Sequence, residues 1–126
     1  MNDKIKVLVV DDEPDIIEIL SYNLTKANFA VFKAFNGIEG LDSAVKNSPD
    51  LIIMDIRMPG ISGIETCRKL RMIDNLKKTP ILFLTADSDE YTTLNAFEAG
   101  GNHFITKPIR PSILLEMIGE LVKKEA

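Results

Sequence analysis

Leu51-Ile52-Ile53-Met54-Asp55-Ile56-Arg57-Met58-Pro59-Gly60 is the stretch that decides the fold. The apolar run that opens it is too short for a helix and suits a strand covered on both faces. The run stops at a carboxylate, and Pro59-Gly60 turns the chain just beyond it. Three other short apolar runs end in a similar way. Asp11-Asp12 closes Val7-Leu8-Val9-Val10, Thr85 closes Ile81-Leu82-Phe83-Leu84, and Lys107-Pro108 follows Phe104-Ile105. In open α/β sheets, ligands bind outside the carboxyl ends of the strands. Carboxylates, a hydroxyl and an ammonium at four strand ends therefore point to one functional edge.

Between these runs the pattern is helical. Pro14 suits the first turn of a helix starting near Glu13, with Ile17, Leu20, Leu24 and Ala27 at helical spacing. Residues 29–35 read as a second strand that ends in the turn signal Asn36-Gly37. Ile38, Leu41 and Val45 predict a short second helix, broken by Ser48-Pro49. Ser62 and Glu65 have the spacing of a capping box, opening a helix with Ile64, Cys67 and Leu70 on one face. Thr79-Pro80 introduces the strand at 81–84. Residues 88–99 predict a fourth helix with a sparse apolar set, Tyr91, Leu94 and Phe97, ended by Gly100-Gly101. A fifth strand spans 103–106. The last helix opens near Pro111 and carries Leu114, Met117, Ile118 and Leu121 on one face. Such alternation predicts βαβ units, right-handed crossovers and an α/β fold built on a doubly wound, five-stranded parallel sheet.

Composition narrows the class. The 126 residues suit one domain, taken here as 1–126. Hydrophobic content is 45% and charged content 27%, which excludes a disordered chain. A net charge of −4 argues against a nucleic-acid-binding surface. No apolar run is long enough to span a bilayer, and no signal-peptide pattern opens the chain, so neither membrane nor export is expected. The single cysteine, Cys67, cannot form an internal disulfide, consistent with a reducing, cytoplasmic setting. One Cys and one His make a zinc site an unsuitable reading.

The strand-end residues imply a chemistry together. Asp11, Asp12 and Asp55 repel one another unless protons or a cation relieve the charge. Oxygen ligands select a hard cation, and a few carboxylates plus waters suit Mg²⁺. Lys107 supplies a mobile positive charge, and the Thr85 hydroxyl can donate to a phosphoryl oxygen. A nucleophilic carboxylate, a divalent metal site, a cation and a hydroxyl donor together suit in-line phosphoryl transfer onto an aspartate.

The run Val9-Val10-Asp11-Asp12-Glu13-Pro14, then Met54 to Gly60 with Gly63, then Leu84-Thr85-Ala86, then Phe104-Ile105-Thr106-Lys107-Pro108 closely resembles the receiver domain of two-component response regulators. The resemblance covers about residues 4 to 123 and combines motif, order and spacing: 43 positions from Asp12 to Asp55, 30 to Thr85, 22 to Lys107. It implies a flavodoxin-like (βα)5 sheet in order 2-1-3-4-5. It implies that Asp55 is the phosphoryl acceptor, and that Asp12, Asp55 and the main-chain carbonyl of Arg57 hold Mg²⁺, with Asp11 acting directly or through a water. Lys107 would pair with Asp55 and then with its phosphoryl group, Thr85 would turn toward that group, and Phe104 would swing inward as the switch aromatic. The Lys107-Pro108 bond would be cis, a form open to peptide bonds before proline. The donor would be a sensor histidine kinase or a histidine phosphotransfer protein. The output protein or domain would dock on the fourth helix, fifth strand and last helix.

Taken singly, these residues have plainer readings. Asp11-Asp12 could cap the helix at Pro14, Asp55 could serve its turn, Thr85 could be a structural hydroxyl and Lys107 a solvated lysine. One fold bringing all of them to one edge is what weighs against that. Phe104 is core by default, while His103 and Cys67 read as structural. The resemblance also makes Arg57 and Asp87, two residues after Asp55 and Thr85, candidates to tune phosphoryl lifetime, with Arg57 shielding the phosphoryl group or pairing with Asp87 across the site. The competing class is a Mg²⁺-dependent phosphatase with an aspartyl nucleophile, which would carry a second Asp where Arg57 stands. A third class is a degenerate receiver that binds constitutively. Gly101-Asn102-His103 replaces the acidic stretch of the dimerising winged-helix regulators, so that dimer is not expected.

Overall fold

A computed structural model describes residues 4–86 and 90–123 of the chain. Strands β1 (Lys6–Val10), β2 (Ala30–Ala34), β3 (Leu51–Asp55), β4 (Ile81–Thr85) and β5 (His103–Thr106) alternate with helices α1 (Pro14–Lys26), α2 (Gly37–Asn47), α3 (Gly63–Arg71), α4 (Glu90–Glu98) and α5 (Pro111–Lys123). All strand pairs are parallel, in the order β2-β1-β3-β4-β5. This is the doubly wound, flavodoxin-like sheet that the sequence implied.

The side-chain period of two sorts each strand between two cores. Leu8, Val10, Ile52, Met54, Ile81 and Phe83 face one layer, where Ala44 of α2, Cys67 and Leu70 of α3 and Ala96 of α4 pack. Val7, Val9, Leu51, Ile53, Leu82 and Leu84 face the other, against Ile17, Leu20 and Leu24 of α1 and Leu114, Ile118 and Leu121 of α5. The three inner strands carry the most burial, and β3 and β4 are buried along their whole length. Each fully buried aliphatic side chain contributes roughly 1.5–3 kcal/mol. The edge strands β2 and β5 are only partly covered.

Several expectations change in detail. The second strand runs from Ala30 to Ala34, one residue shorter at each end than expected. Ala27 is the C-cap of α1 and is exposed, not part of its buried face. In α2 the buried face is Gly37, Gly40 and Ala44, while Ile38 and Val45 are each 56% exposed. Small residues allow this helix to lie close: a β-carbon on Gly40 would touch Val10. Asn36 acts as the N-cap of α2, accepting from the Glu39 amide at 2.9 Å. In return Glu39 Oε1 accepts from the Phe35 amide at 2.9 Å, so the Asn36-Gly37 turn signal is a helix start.

In α4 the expected apolar set is the outward one. Tyr91, Leu94 and Phe97 are exposed, and Ala96 and Ala99 make the contact with the sheet. Ser88, the expected start of this helix, lies outside the described residues. The Ser62–Glu65 capping box forms in both directions, at 3.1 and 3.3 Å; such a cap contributes about 1 kcal/mol. No described helix is long and apolar enough to cross a membrane.

Candidate functional site

The parallel register delivers the strand ends to one edge. Val10 pairs with Met54 and Asp55 with Leu84, so Asp11, Asp55 and Thr85 follow one another across the sheet. Thr85 pairs with Thr106, and the Lys107 amide donates to the Thr85 carbonyl at 2.7 Å. That bond carries the strand pairing one residue past β5, and the Lys107–Pro108 peptide bond is cis. The Ile56 amide donates to the Leu84 carbonyl, and the Gly63 amide donates to the Ile56 carbonyl at 2.8 Å. The start of α3 is thereby fixed beneath Asp55.

Three carboxylates surround one ammonium. Lys107 Nζ donates to Glu13 Oε1 at 2.9 Å, lies 3.2 Å from Asp11 Oδ2 and 3.7 Å from Asp55 Oδ1. Lys107 thus pairs with Asp55, as expected, but its nearest partner is Glu13. Asp12 stands beside them, half-buried. Asp11 and Asp55 are buried. Burial and the neighbouring Asp11 charge push the Asp55 carboxyl up to about 6, against the opposing pull of Lys107. Burial raises Asp11 as well, although the Glu13 amide, donating to Oδ1 at 2.9 Å, and Lys107 favour its charged form. Burial alone would lower Lys107, but the Glu13 bond and the Asp55 and Asp11 charges raise it. The ammonium stays charged, while the two buried carboxylates are held in an environment that disfavours their ionisation.

This is a donor set that could hold a cation. Oxygens of Asp11, Asp12 and Asp55 lie within 4.8 Å of one another. Asp11 Oδ2 is buried and accepts no hydrogen bond among the described residues, its ion-pair distance to Lys107 notwithstanding. A buried carboxylate oxygen without a hydrogen bond costs free energy unless a ligand meets it. Oxygen-only donors of this kind fit a hard divalent ion.

The remaining expected residues sit at the margin. Thr85 is buried at the end of β4. Phe104 on β5 is half-buried, in register with Phe83, and packs on the same face of the sheet as Thr85. Arg57 is exposed in the loop after β3, and Asp87 lies outside the described residues. His103 is exposed, and Cys67 is buried, its thiol donating to the Ala99 carbonyl at 3.3 Å and pushed up to about 11 by burial. Two residues have roles that the sequence alone does not assign. Glu13 was visible only as part of the motif. Arg71 left no signal, yet it gathers the carbonyls of Leu76, Thr79 and Gly100.

Comparison with known proteins agrees with this geometry. Residues 7–119 match the response regulator receiver domain family. The chain is 39% identical over 119 residues to the transcriptional regulatory protein ResD of Bacillus subtilis, covering 94% of this chain and 48% of that protein. It is 41% identical over 106 residues to the alkaline phosphatase synthesis transcriptional regulatory protein PhoP of the same organism, covering 84% and 43%. The chain therefore spans about half the length of these curated relatives. Among solved structures, chemotaxis protein CheY4 of Vibrio cholerae superposes with a TM-score of 0.91 at 34% identity, covering 94% of this chain and 98% of that one. The receiver domain of Francisella response regulator 1452 gives 0.89 at 28%, covering 98% and 100%. With its motif residues assembled at the carboxyl edge of a sheet of matching topology, the chain belongs to the response regulator receiver domain family.

Proposed function

We propose that Asp55 accepts a phosphoryl group from the phosphohistidine of a sensor histidine kinase or a histidine phosphotransfer protein, in a cytoplasmic phosphorelay. A carboxylate oxygen of Asp55 attacks phosphorus, the P–N bond breaks, and the imidazole nitrogen keeps the electron pair. The observation that carries the reading is the convergence of Asp11, Asp12 and Lys107 on Asp55 at one buried edge. Asp11, Asp12, Asp55 and the main-chain carbonyl of Arg57 would hold Mg²⁺, which neutralises charge on the transferring group when bound. Lys107 pairs with the phosphoryl oxygens, and the Thr85 hydroxyl turns to donate to them. Water returns Asp55 to its free form, so the chain turns over no separate substrate.

The phosphoryl group brings close to two negative charges and stabilises only conformations in which Thr85 and Lys107 approach it. The Thr85–Lys107 main-chain bond ties that movement to β5. Phe104, on the same face, follows into the space near Thr85. The readout surface is then α4–β5–α5, where Tyr91, Leu94 and Phe97 of α4 and Ile113 of α5 are exposed. Exposed apolar side chains of this kind favour a protein partner. The linkage chemistry tests this: label taken up with Mg²⁺ should be released by hydroxylamine, as an acyl phosphate is. Label that resists hydroxylamine would mark a serine or threonine ester and defeat the proposal.

A further inference from the structure

Glu13 belongs to the site geometrically, but the transfer described above does not use it. It occupies the N-cap of α1, where a short polar side chain would bond a free amide of the first turn, and its own side chain makes no such bond. Glu13 is instead directed at Lys107, with Oε1 2.9 Å from Nζ. Asp11 Oδ2 and Asp55 Oδ1 stand further from the same ammonium, at 3.2 and 3.7 Å. The shortest contact of Lys107 therefore goes to the carboxylate outside the Asp11–Asp12–Asp55 cluster. The Glu13 side chain is 59% exposed, against 0% for Asp11 and 8% for Asp55.

A divalent cation in the acidic cluster and the Lys107 ammonium compete for the same oxygens and repel each other. When the cation enters, Lys107 needs a nearby anion that is not a ligand. We infer that Glu13 is a positioning residue that parks Lys107 at the mouth of the site and so keeps the Asp11 and Asp55 oxygens open to a divalent cation. The inference rests on reading the cluster as a Mg²⁺ site. Without Glu13, the ammonium settles on Asp55 and Asp11, and the cation must displace it.

A double-mutant cycle on Mg²⁺ affinity, read by calorimetry on the unphosphorylated protein, tests this. Glu13→Gln removes the charge, keeps the size and touches no helix-capping bond. It should weaken Mg²⁺ binding about fivefold, the upper range for an exposed ion pair. In a Lys107→Met background the loss should shrink by more than about twofold, beyond the scatter of independent sites. Equal losses in both backgrounds would mean that Glu13 acts only as a distant charge, and no loss would remove its role; either result overturns the inference. If Lys107→Met does not fold, the NMR shift of Lys107 Cε decides. It should move on adding Mg²⁺ to Glu13→Gln far more than in the wild type, and equal movement overturns the inference. Failure of the wild type to bind Mg²⁺ at all would overturn the metal reading itself together with the role of Glu13.

Discussion

Gly63 lies directly against the main chain of Asp55. Its amide donates to the Ile56 carbonyl at 2.8 Å, and a β-carbon built on it would overlap the Asp55 carbonyl oxygen. The partner in that collision is backbone, so no side chain can move aside to admit a methyl. Gly63→Ala should destabilise the fold by about 1–3 kcal/mol, as overpacking does, and displace Asp55 enough to slow phosphoryl uptake. Urea unfolding and uptake rates check both. A variant as stable and as fast as the wild type would show that the approach is loose.

Asp55 itself is expected to cost stability in the metal-free protein. Its carboxyl is raised from 3.8 to about 6, chiefly by burial. A raised acid contributes stability below its unfolded pKa and loses it as pH rises through the folded value. At neutral pH the charge therefore costs on the order of 2–3 kcal/mol. Asp55→Asn should raise Tm without metal at neutral pH, and the gain should shrink as pH falls from about 6 toward 4. An unchanged or lowered Tm at neutral pH would contradict the reading of Asp55 as a strained carboxylate.

The same shifts set a pH dependence for the cation. Asp55 and Asp11 are both raised, so acidification protonates ligands that Mg²⁺ requires ionised. Affinity should hold above pH 7 and fall as pH drops through about 6, the Asp55 value. Calorimetric titration at several pH values checks this. Affinity constant down to pH 5 would place the cation elsewhere.

Arg71 joins three segments. Its guanidinium donates to the carbonyls of Leu76, Thr79 and Gly100 and to Asn102 Oδ1, which also accepts from the Ile81 amide. One side chain thus reaches the end of α3, the approach to β4 and the α4–β5 loop. Arg71→Ala should cost about 2–4 kcal/mol, because it strands several carbonyls at once. Arg71→Lys should recover little, since an ammonium cannot reproduce the planar fork. Chemical denaturation of both variants measures it, and a fully restored Lys variant would refute the geometric argument.

The sheet was legible because β1, β3 and β4 are continuous apolar runs, and a fully buried parallel strand has no polar face to confuse the pattern. Asp11, Asp55 and Thr85 were legible because each terminates such a run. The helices were harder to orient. Ile38, Val45, Tyr91, Leu94 and Phe97 are apolar at helical spacing, yet they face outward, because Gly37, Gly40, Ala44, Ala96 and Ala99 bring α2 and α4 close to the sheet. Apolar pattern marks a face without saying whether it is covered. Arg71 could not be found, since most of its partners are main-chain carbonyls, up to 29 positions away, and every residue has one. The Asn36–Glu39 cap is legible in principle: Asn followed three residues later by Glu is a helix-start pattern, but Asn36-Gly37 is equally a turn signal.

The central claim is that Asp55 is a phosphoryl acceptor. Intact mass spectrometry after incubation with Mg²⁺ and a small phosphodonor tests it most directly. The account predicts one added phosphoryl group on the wild type, lost when Mg²⁺ is chelated beforehand, and none on Asp55→Ala. Uptake by Asp55→Ala equal to that of the wild type would contradict it, as would a wild type that takes up nothing from either a small donor or a phosphorylated histidine kinase.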